Sequence, residues 1–473
     1  MIRRILAAAA LATALAAAPA AAPAQKSKQP AIGTPKPFKV PASETYRLPN
    51  GMQVTLIPYG IAPRAVVSLR VYAGGVEAGE KTGLTALTTN MMREGAAGRS
   101  GAQIAEAAAG MGGNLGVGGG FHETALTLAV LSEHTDDAVR LIADVARRPD
   151  FPASELDRVR ATVLRNIAVA KSQPQPNADA ALAAAYYGKG HPYGRLFPTE
   201  AQVKSYTIDD IRRFHAENFG AKRARLYVAG RFDAAAVRAA IAQAYSDWAA
   251  GPERLSNPPT PQAGPQVILV DRPGAPQSTL RIAFAAPAAG SPDDIRFRVA
   301  DALLGGSFTS RITKNIREEK GYTYSPGSGV GFNPGEAQWT FNADVTTEVT
   351  GAALKEVFGE IRELQTTAPG DEEAAGMRTW MAGVFVLQNA SAGGLINSLA
   401  NRDFHGLPAN WLDAYVPSVL GVSAADMQRL ASERLPLEKM TLVVVGDLAK
   451  VEPQLKALPE LKDAKFQTVK PFD

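Results

Sequence analysis

The residues best suited to chemistry lie in one stretch of the carboxyl-terminal half, Ser310-Arg311-Ile312 and then Ile316-Arg317-Glu318-Glu319-Lys320-Gly321-Tyr322-Thr323-Tyr324. Arg317 and Tyr324 stand seven residues apart in it. A fixed guanidinium and a phenol hydroxyl can both donate hydrogen bonds to an oxygen that gains negative charge only in a transition state. On residue types alone a plainer reading is favoured, in which Arg317 pairs with Glu318 or Glu319 on a surface helix and Tyr324 packs into a core. The other candidates are poorer. The five histidines are His122, His134, His191, His215 and His405, and none shares a helix face with a second histidine or acid in a zinc-binding arrangement. His122 and Glu123 stand at a strand start, where neighbouring side chains point to opposite faces, and His191 precedes Pro192 in a turn. Gly110 to Gly120 is glycine-rich but lacks the Gly-Lys-Ser/Thr that must follow, and Glu80 interrupts the Gly79-Lys81-Thr82 stretch, so nucleotide binding is excluded. Cysteine is absent, and with it thiolate chemistry.

These residues need a scaffold, and the hydrophobic periodicity supplies one. In the first half, strands are predicted over Gln53 to Pro58, Ala65 to Tyr72, Thr124 to Leu131 and Arg225 to Ala229. Helices are predicted over Thr82 to Glu94, Gly101 to Met111, Thr135 to Arg147, Ser154 to Ser172 (capped by Ser154), Ile208 to Asn218 (capped by Thr207 with Asp209) and Ala234 to Trp248. Gly251 to Pro265 holds five prolines and two glycines with almost no periodicity, which reads as an interdomain linker. The pattern then restarts. Strands are predicted at Gln266 to Asp271, Thr279 to Ala285, Ala337 to Val345 and Met440 to Val445. Helices are predicted at Asp293 to Leu304, Thr309 to Lys320, Glu348 to Gln365, Asp371 to Asn389 and Ser423 to Arg434, with a turn over Gly327 to Gly335. The same order occurs twice, which points to an α/β chain of two duplicated domains (46–250 and 266–473), each a mostly antiparallel sheet covered by helices.

Composition agrees. The chain has 473 residues, 46% hydrophobic and 20% charged, an ordinary globular balance in a chain too long for a single core of at most ~300 residues. Met1 to Arg4 is a short basic region, Ile5 to Ala18 an Ala/Leu-rich apolar run, and small residues follow to Ala24, so residues 1–24 read as a secretory signal. Residues 25–45 read as a flexible lead-in. No later stretch is apolar enough for stable membrane insertion, and the scattered basic residues make no case for nucleic acid. The expected location is the bacterial periplasm.

The order of short landmarks resembles the pitrilysin/insulysin-type zinc metallopeptidases, the group that includes the mitochondrial processing peptidase. The landmarks are Leu48-Pro-Asn-Gly-Met-Gln, Pro149-Asp-Phe, His191-Pro-Tyr-Gly, Leu303-Leu-Gly-Gly-Ser, Ser310-Arg-Ile and Arg317-Glu-Glu-Lys-Gly-Tyr-Thr-Tyr. Members carry an inverted zinc motif, H-x-x-E-H, on a first-domain helix, with a distal Glu as last ligand. The resemblance places the two His positions on Thr85 and Thr89, the Glu on Thr88 and the distal Glu on Asn166. It therefore implies a degenerate metal site and no zinc bound by this chain. It also implies that Arg317 and Tyr324 match the pair that, in active members, reaches the substrate carbonyl from the second domain. The expected molecule is a non-catalytic subunit, half of a clam-shaped heterodimer, lending Arg317 and Tyr324 to a homologous zinc-bearing partner for peptide hydrolysis. The alternative is a structural or peptide-binding pseudo-peptidase. An active enzyme with an unrecognised metal site is a weaker third reading.

Overall fold

The structure, a computed structural model, describes residues 38–262, 264–470 and 472. The signal segment and most of the lead-in fall outside the described residues. Where the lead-in is described it is held in place: Phe38 meets the Phe385 ring edge-on at 5.1 Å, and the Val40 amide donates to Asp413 Oδ1 at 2.8 Å.

Alternating and β-branched runs build two six-stranded sheets. The first contains β1 (Glu44–Arg47), β2 (Gln53–Pro58), β3 (Arg64–Val71), β4 (Gly116–Gly119), β5 (Thr124–Leu131) and β6 (Ala224–Gly230), in the spatial order β1-β2-β6-β3-β5-β4. The second contains β7 (Gln266–Asp271), β8 (Gln277–Ala286), β9 (Gly327–Asn333), β10 (Glu336–Thr346), β11 (Thr441–Gly446) and β12 (Lys465–Thr468), in the order β12-β7-β11-β8-β10-β9. Five strands match position for position (β2-β6-β3-β5-β4 and β7-β11-β8-β10-β9), and only the outer strands β1 and β12 differ, so the repeated pattern of the sequence is a repeated sheet. Pairings are antiparallel except β2–β6 in the first sheet and β7–β11 and β7–β12 in the second. β5 shows how pattern becomes packing: Thr124, Leu126, Leu128 and Val130 are buried, while the residues between them stay half-buried.

The two halves exchange helices. Helix α1 (Leu84–Met92) packs with the first sheet, and α2 (Leu156–Ser172) runs alongside it. Helix α3 (Pro174–Tyr187), although it belongs to the first half, buries Ala178, Ala181, Leu182 and Tyr186 against Ile268, Val270, Ala283, Val443 and Val445 of the second sheet. After α4 (Asp371–Gln388), helix α5 (Ala392–His405) crosses the other way onto β3 and β6. There Asp403 accepts hydrogen bonds from Tyr227 at 2.8 Å and Gln53 at 3.0 Å, and Asn397 accepts from Arg70 at 2.8 Å.

Residues 251–262 carry neither helix nor strand, yet they are tied along their length. Arg223 donates to the Glu253 carbonyl, Arg254 to the Phe404 carbonyl at 2.6 Å, and the Gln262 amide to the Tyr186 carbonyl at 2.7 Å.

Several local expectations need correction. Ser154 is not a helix cap: Ala153–Glu155 forms a 3₁₀ turn, and α2 starts at Leu156 without a side-chain cap. Thr207 does cap its helix, but the box closes with Asp210 rather than Asp209. Gly327 to Gly335 is largely strand β9, zipped to β10, because the β10 backbone offers that stretch a full ladder. The predicted helices around 293–304 and 309–320 relax into π-helical turns at Ala302–Gly306 and Thr313–Glu319.

Candidate functional site

The π turn Thr313–Glu319 presents Arg317, and its neighbours are tied to acidic side chains. Arg311 grips Glu373 through two parallel bonds of 2.8 and 2.7 Å, and the Asn315 amide donates to Glu356 and Glu360 at 3.1 and 2.7 Å. Gly321, at φ +66°, ends the turn in a left-handed conformation that L side chains disfavour. The next residues run extended: Thr323 is buried, bridges Val345 and donates to the Asp344 carbonyl at 2.6 Å. Alternation then forces Tyr324 outward, where it is 81% exposed. Arg317 has no carboxylate or other hydrogen-bonding partner among the described residues. Its guanidinium instead lies between two aromatic rings, 4.3 Å from Phe308 and 5.3 Å from Tyr324. The plainer reading therefore fails on both counts, since Arg317 is not paired with Glu318 or Glu319 and Tyr324 is not in a core. π-helical turns recur at functional sites, and this one displays a cation stacked between surface aromatics.

Phe308, 66% exposed, is a residue that the sequence reading passed over. Its signal was available: an aromatic set in Gly305-Gly306-Ser307-Phe308-Thr309-Ser310 has no apolar neighbour in sequence to bury it.

Thr85, Thr88 and Thr89 are all buried on α1, so they are not a solvated polar face. Thr88 Oγ1 donates to the Leu84 carbonyl at 2.9 Å and Thr89 Oγ1 to the Ala86 carbonyl at 3.1 Å, the back-bonding that satisfies hydroxyls inside helices. Thr85 Oγ1 is buried without a partner. β4 presses directly on this face: a Cβ on Gly119 would stand 2.8 Å from the Thr85 methyl and 3.0 Å from that of Thr89. Asn166 on α2 and Thr85 line one cavity of about 360 Å³, whereas Thr88, Thr89, Arg317 and Tyr324 do not line it. These side chains do not fit a zinc ion. Neutral hydroxyls and an amide replace imidazole and carboxylate donors, and two of the three hydroxyls are spent on the helix backbone. Among the described residues no three His, Asp or Glu side chains come together as a metal site.

A third feature sits where the halves meet. His122 Nε2 lies 2.8 Å from the Tyr193 hydroxyl and 3.3 Å from Asn333 Oδ1. Asn333 in turn donates to Glu336 at 2.9 Å. Arg254 stacks on Phe404 at 4.0 Å and on Tyr72 at 4.6 Å. Burial pushes His122 and His405 each down to about 4, with the positive charge of Arg254 acting in the same direction. Both imidazoles are thus neutral ring systems that pack the junction.

Comparison with known proteins agrees with this architecture. The family model described as insulinase (peptidase family M16) matches residues 55–198, and the one described as peptidase M16 inactive domain matches residues 205–379. An uncharacterized zinc protease of Rickettsia felis is 24% identical over 339 residues, covering 70% of this chain and 80% of its own. A probable mitochondrial-processing peptidase subunit beta of Arabidopsis thaliana is 24% identical over 274 residues, covering 57% of this chain and 51% of its own. The crystal structure of a peptidase M16 inactive domain from Pseudomonas fluorescens superposes with a TM-score of 0.78 at 24% identity, over 85% of this chain and 98% of that one. The two models, both of peptidase family M16, together match more than half of the chain, and the chain belongs to that family.

Proposed function

We propose that this chain is the non-catalytic subunit of an exported, two-chain zinc peptidase, lending Arg317 and Tyr324 to a homologous partner that carries the metal. One observation carries the reading: Arg317 is held at the surface between Phe308 and Tyr324 with no carboxylate to neutralise it. An unpaired cation beside an exposed phenol is placed for an oxygen supplied from outside the chain. The α1 threonines and Asn166 remove the general base and the ligands from the chain's own site. The partner would supply the zinc and the activated water. Arg317 would take the scissile carbonyl oxygen and Tyr324 would donate to it as charge develops.

The test begins with metal analysis and peptide turnover of the purified chain, then of the chain mixed with an H-x-x-E-H partner from the same organism. The expected result is no stoichiometric zinc and no cleavage alone, and increased turnover in the mixture. Arg317→Ala and Tyr324→Phe are each expected to remove about 100–1,000-fold of that increase, the range of a lost oxyanion donor. Zinc-dependent cleavage by the isolated chain would overturn the reading. Full assistance from both variants would reduce Arg317 and Tyr324 to inherited remnants and favour a structural or peptide-binding role.

A further inference from the structure

We propose that the cavity where the linker meets the second half is a binding site for an oxyanion, a carboxylate or a phosphate, carried on a small apolar body. The site uses neither Arg317 nor Tyr324, so it goes beyond the proposed function and stands or falls apart from it. The cavity measures about 290 Å³ and is bordered by α3, β8, the linker and the end of helix α6 (Ala424–Arg434). Cavities of ~150 Å³ already take a benzene ring. This one has room for a ring and a charged substituent.

Three donor side chains border it: Tyr186, Arg434 and Lys439. Tyr186 is only 3% exposed, and its hydroxyl is buried without a hydrogen-bond partner. Arg434 Nε is buried without a partner as well. The Asp293 carboxylate, which feels the charge of Arg434, is already taken by Arg429 at 2.8 Å. Lys439 brings a second positive charge and has no ion pair among the described residues. The acid on the lining, Glu433, is held by Arg429 at 3.1 Å. Buried polar groups are almost always hydrogen-bonded, so two unpaired donors around one cavity call for an acceptor from outside the chain. A water molecule would satisfy the phenol alone. The two cations beside it select an acceptor that carries negative charge.

The rest of the ligand follows from the remaining walls. Phe284, Pro261 and Pro436 offer apolar surface beside the donors, which suits a short hydrocarbon or aromatic body. These walls are held in place. The Gln262 amide donates to the Tyr186 carbonyl at 2.7 Å and the Gln266 amide to the Met440 carbonyl at 3.1 Å. Gly264 lies so close to the same strand that a Cβ on it would stand 2.7 Å from the Met440 carbonyl oxygen. A pocket formed in advance loses little order on filling. Its occupant would touch the linker, α3 and α6 together, and so would stabilise the folded chain.

The experiment is calorimetric titration of the full chain alone with benzoate, phenyl phosphate, inorganic phosphate and benzamide, alongside thermal melts. Saturable binding of benzoate or phenyl phosphate is expected, with a rise in Tm, and the tighter of the two identifies the headgroup. Benzamide, with the same ring and no charge, is expected to bind about tenfold or more weakly, because hydrogen bonds to charged groups are the stronger kind. Inorganic phosphate is expected to bind more weakly than phenyl phosphate. Tyr186→Phe and Arg434→Gln are each expected to weaken binding of the preferred anion about tenfold. Tyr186→Phe should keep the parent Tm without ligand, since its hydroxyl has no bond to lose. No saturable binding of either aromatic anion, equal affinity for benzamide, or full affinity in both folded variants overturns the proposal. Inorganic phosphate binding as tightly as phenyl phosphate overturns the apolar body. Failure to assist a zinc-bearing partner leaves these readouts untouched, so the two readings fail separately.

Discussion

Arg317 is defined as much by what flanks it as by its charge. A guanidinium free in water samples many rotamers, and ordering a long side chain costs about 1.5–2 kcal/mol of entropy. Stacking between Phe308 and Tyr324 supplies part of that ordering in advance, with a cation–π contribution of about 0.5–1 kcal/mol at exposed sites. Phe308→Ala is therefore expected to leave stability within about 0.5 kcal/mol of the parent, because the ring is exposed. Assisted turnover should fall several-fold, about 3–10-fold, through kcat more than KM, and Phe308→Trp should restore it. Thermal melts and turnover with the zinc-bearing partner check this, and an unchanged kcat in Phe308→Ala would make the ring incidental. The spacing of Arg317 and Tyr324 was legible because a seven-residue interval survives any backbone detail. Phe308 carried a signal in its glycine and hydroxyl neighbours, but an aromatic in a strand- and helix-rich chain reads by default as core. The burial of Thr85, Thr88 and Thr89 was equally hidden, since it depends on β4 closing over α1 from residues about thirty positions later.

At the scale of elements, strands and amphipathic helices announced themselves, and the misses have physical causes. Helix α3 contains Ala180-Ala181-Leu182-Ala183-Ala184-Ala185, so nearly every face is small and apolar and no single stripe marks it. Its opening Pro174 looks like a loop residue but suits the first turn, where the missing amide has no partner to lose. The π turns also escaped, because a widened turn keeps helical composition. Asp301 stands just before the first of them and is buried, accepting from Ser328 Oγ and Trp339 Nε1, each at 2.5 Å. Burial pushes its carboxyl up to about 6, against the pull of those two donors. The native protein then keeps this proton at pH values where the unfolded chain, titrating near 4, has lost it. The contribution to stability is thus complete below about pH 4 and is lost as pH rises through about 6. Asp301→Asn keeps an acceptor for both donors and removes the titration. Denaturant unfolding at pH 4, 5, 6 and 7 should show the variant gaining on the parent by roughly 2–3 kcal/mol across that interval. A pH-independent difference between the two proteins would contradict this.

For the whole molecule, the junction histidines set the opposite trend. His122 and His405 are held near 4 in the folded chain, whereas in the unfolded chain they protonate near 6.5. Stability from keeping them neutral is present above about 6.5 and drains away as pH falls toward 4. His122→Gln, which retains hydrogen-bonding capacity toward Tyr193 and Asn333, should flatten the acid side of a Tm-against-pH curve over that range. A variant curve parallel to the parent's would show that the fold does not hold His122 neutral. The duplicated sheet was readable from the recurrence of strands, but the crossing of α3 and α5 was not. Neither helix carries a mark of which sheet it will cover, because alanine-rich and mixed faces pack on any smooth apolar strand surface.

That crossing has a consequence for how the chain is made. As the ribosome works from the first residue onward, α3 emerges long before β8 and β11 exist, and its apolar side waits without a mate. The first sheet waits in the same way for α5. The first half can bury its own core early, but the faces shared through α3 and α5 close only when both halves are present, which couples the last steps of their folding. A chain built this way gains from having those faces shielded until its last strands have been delivered.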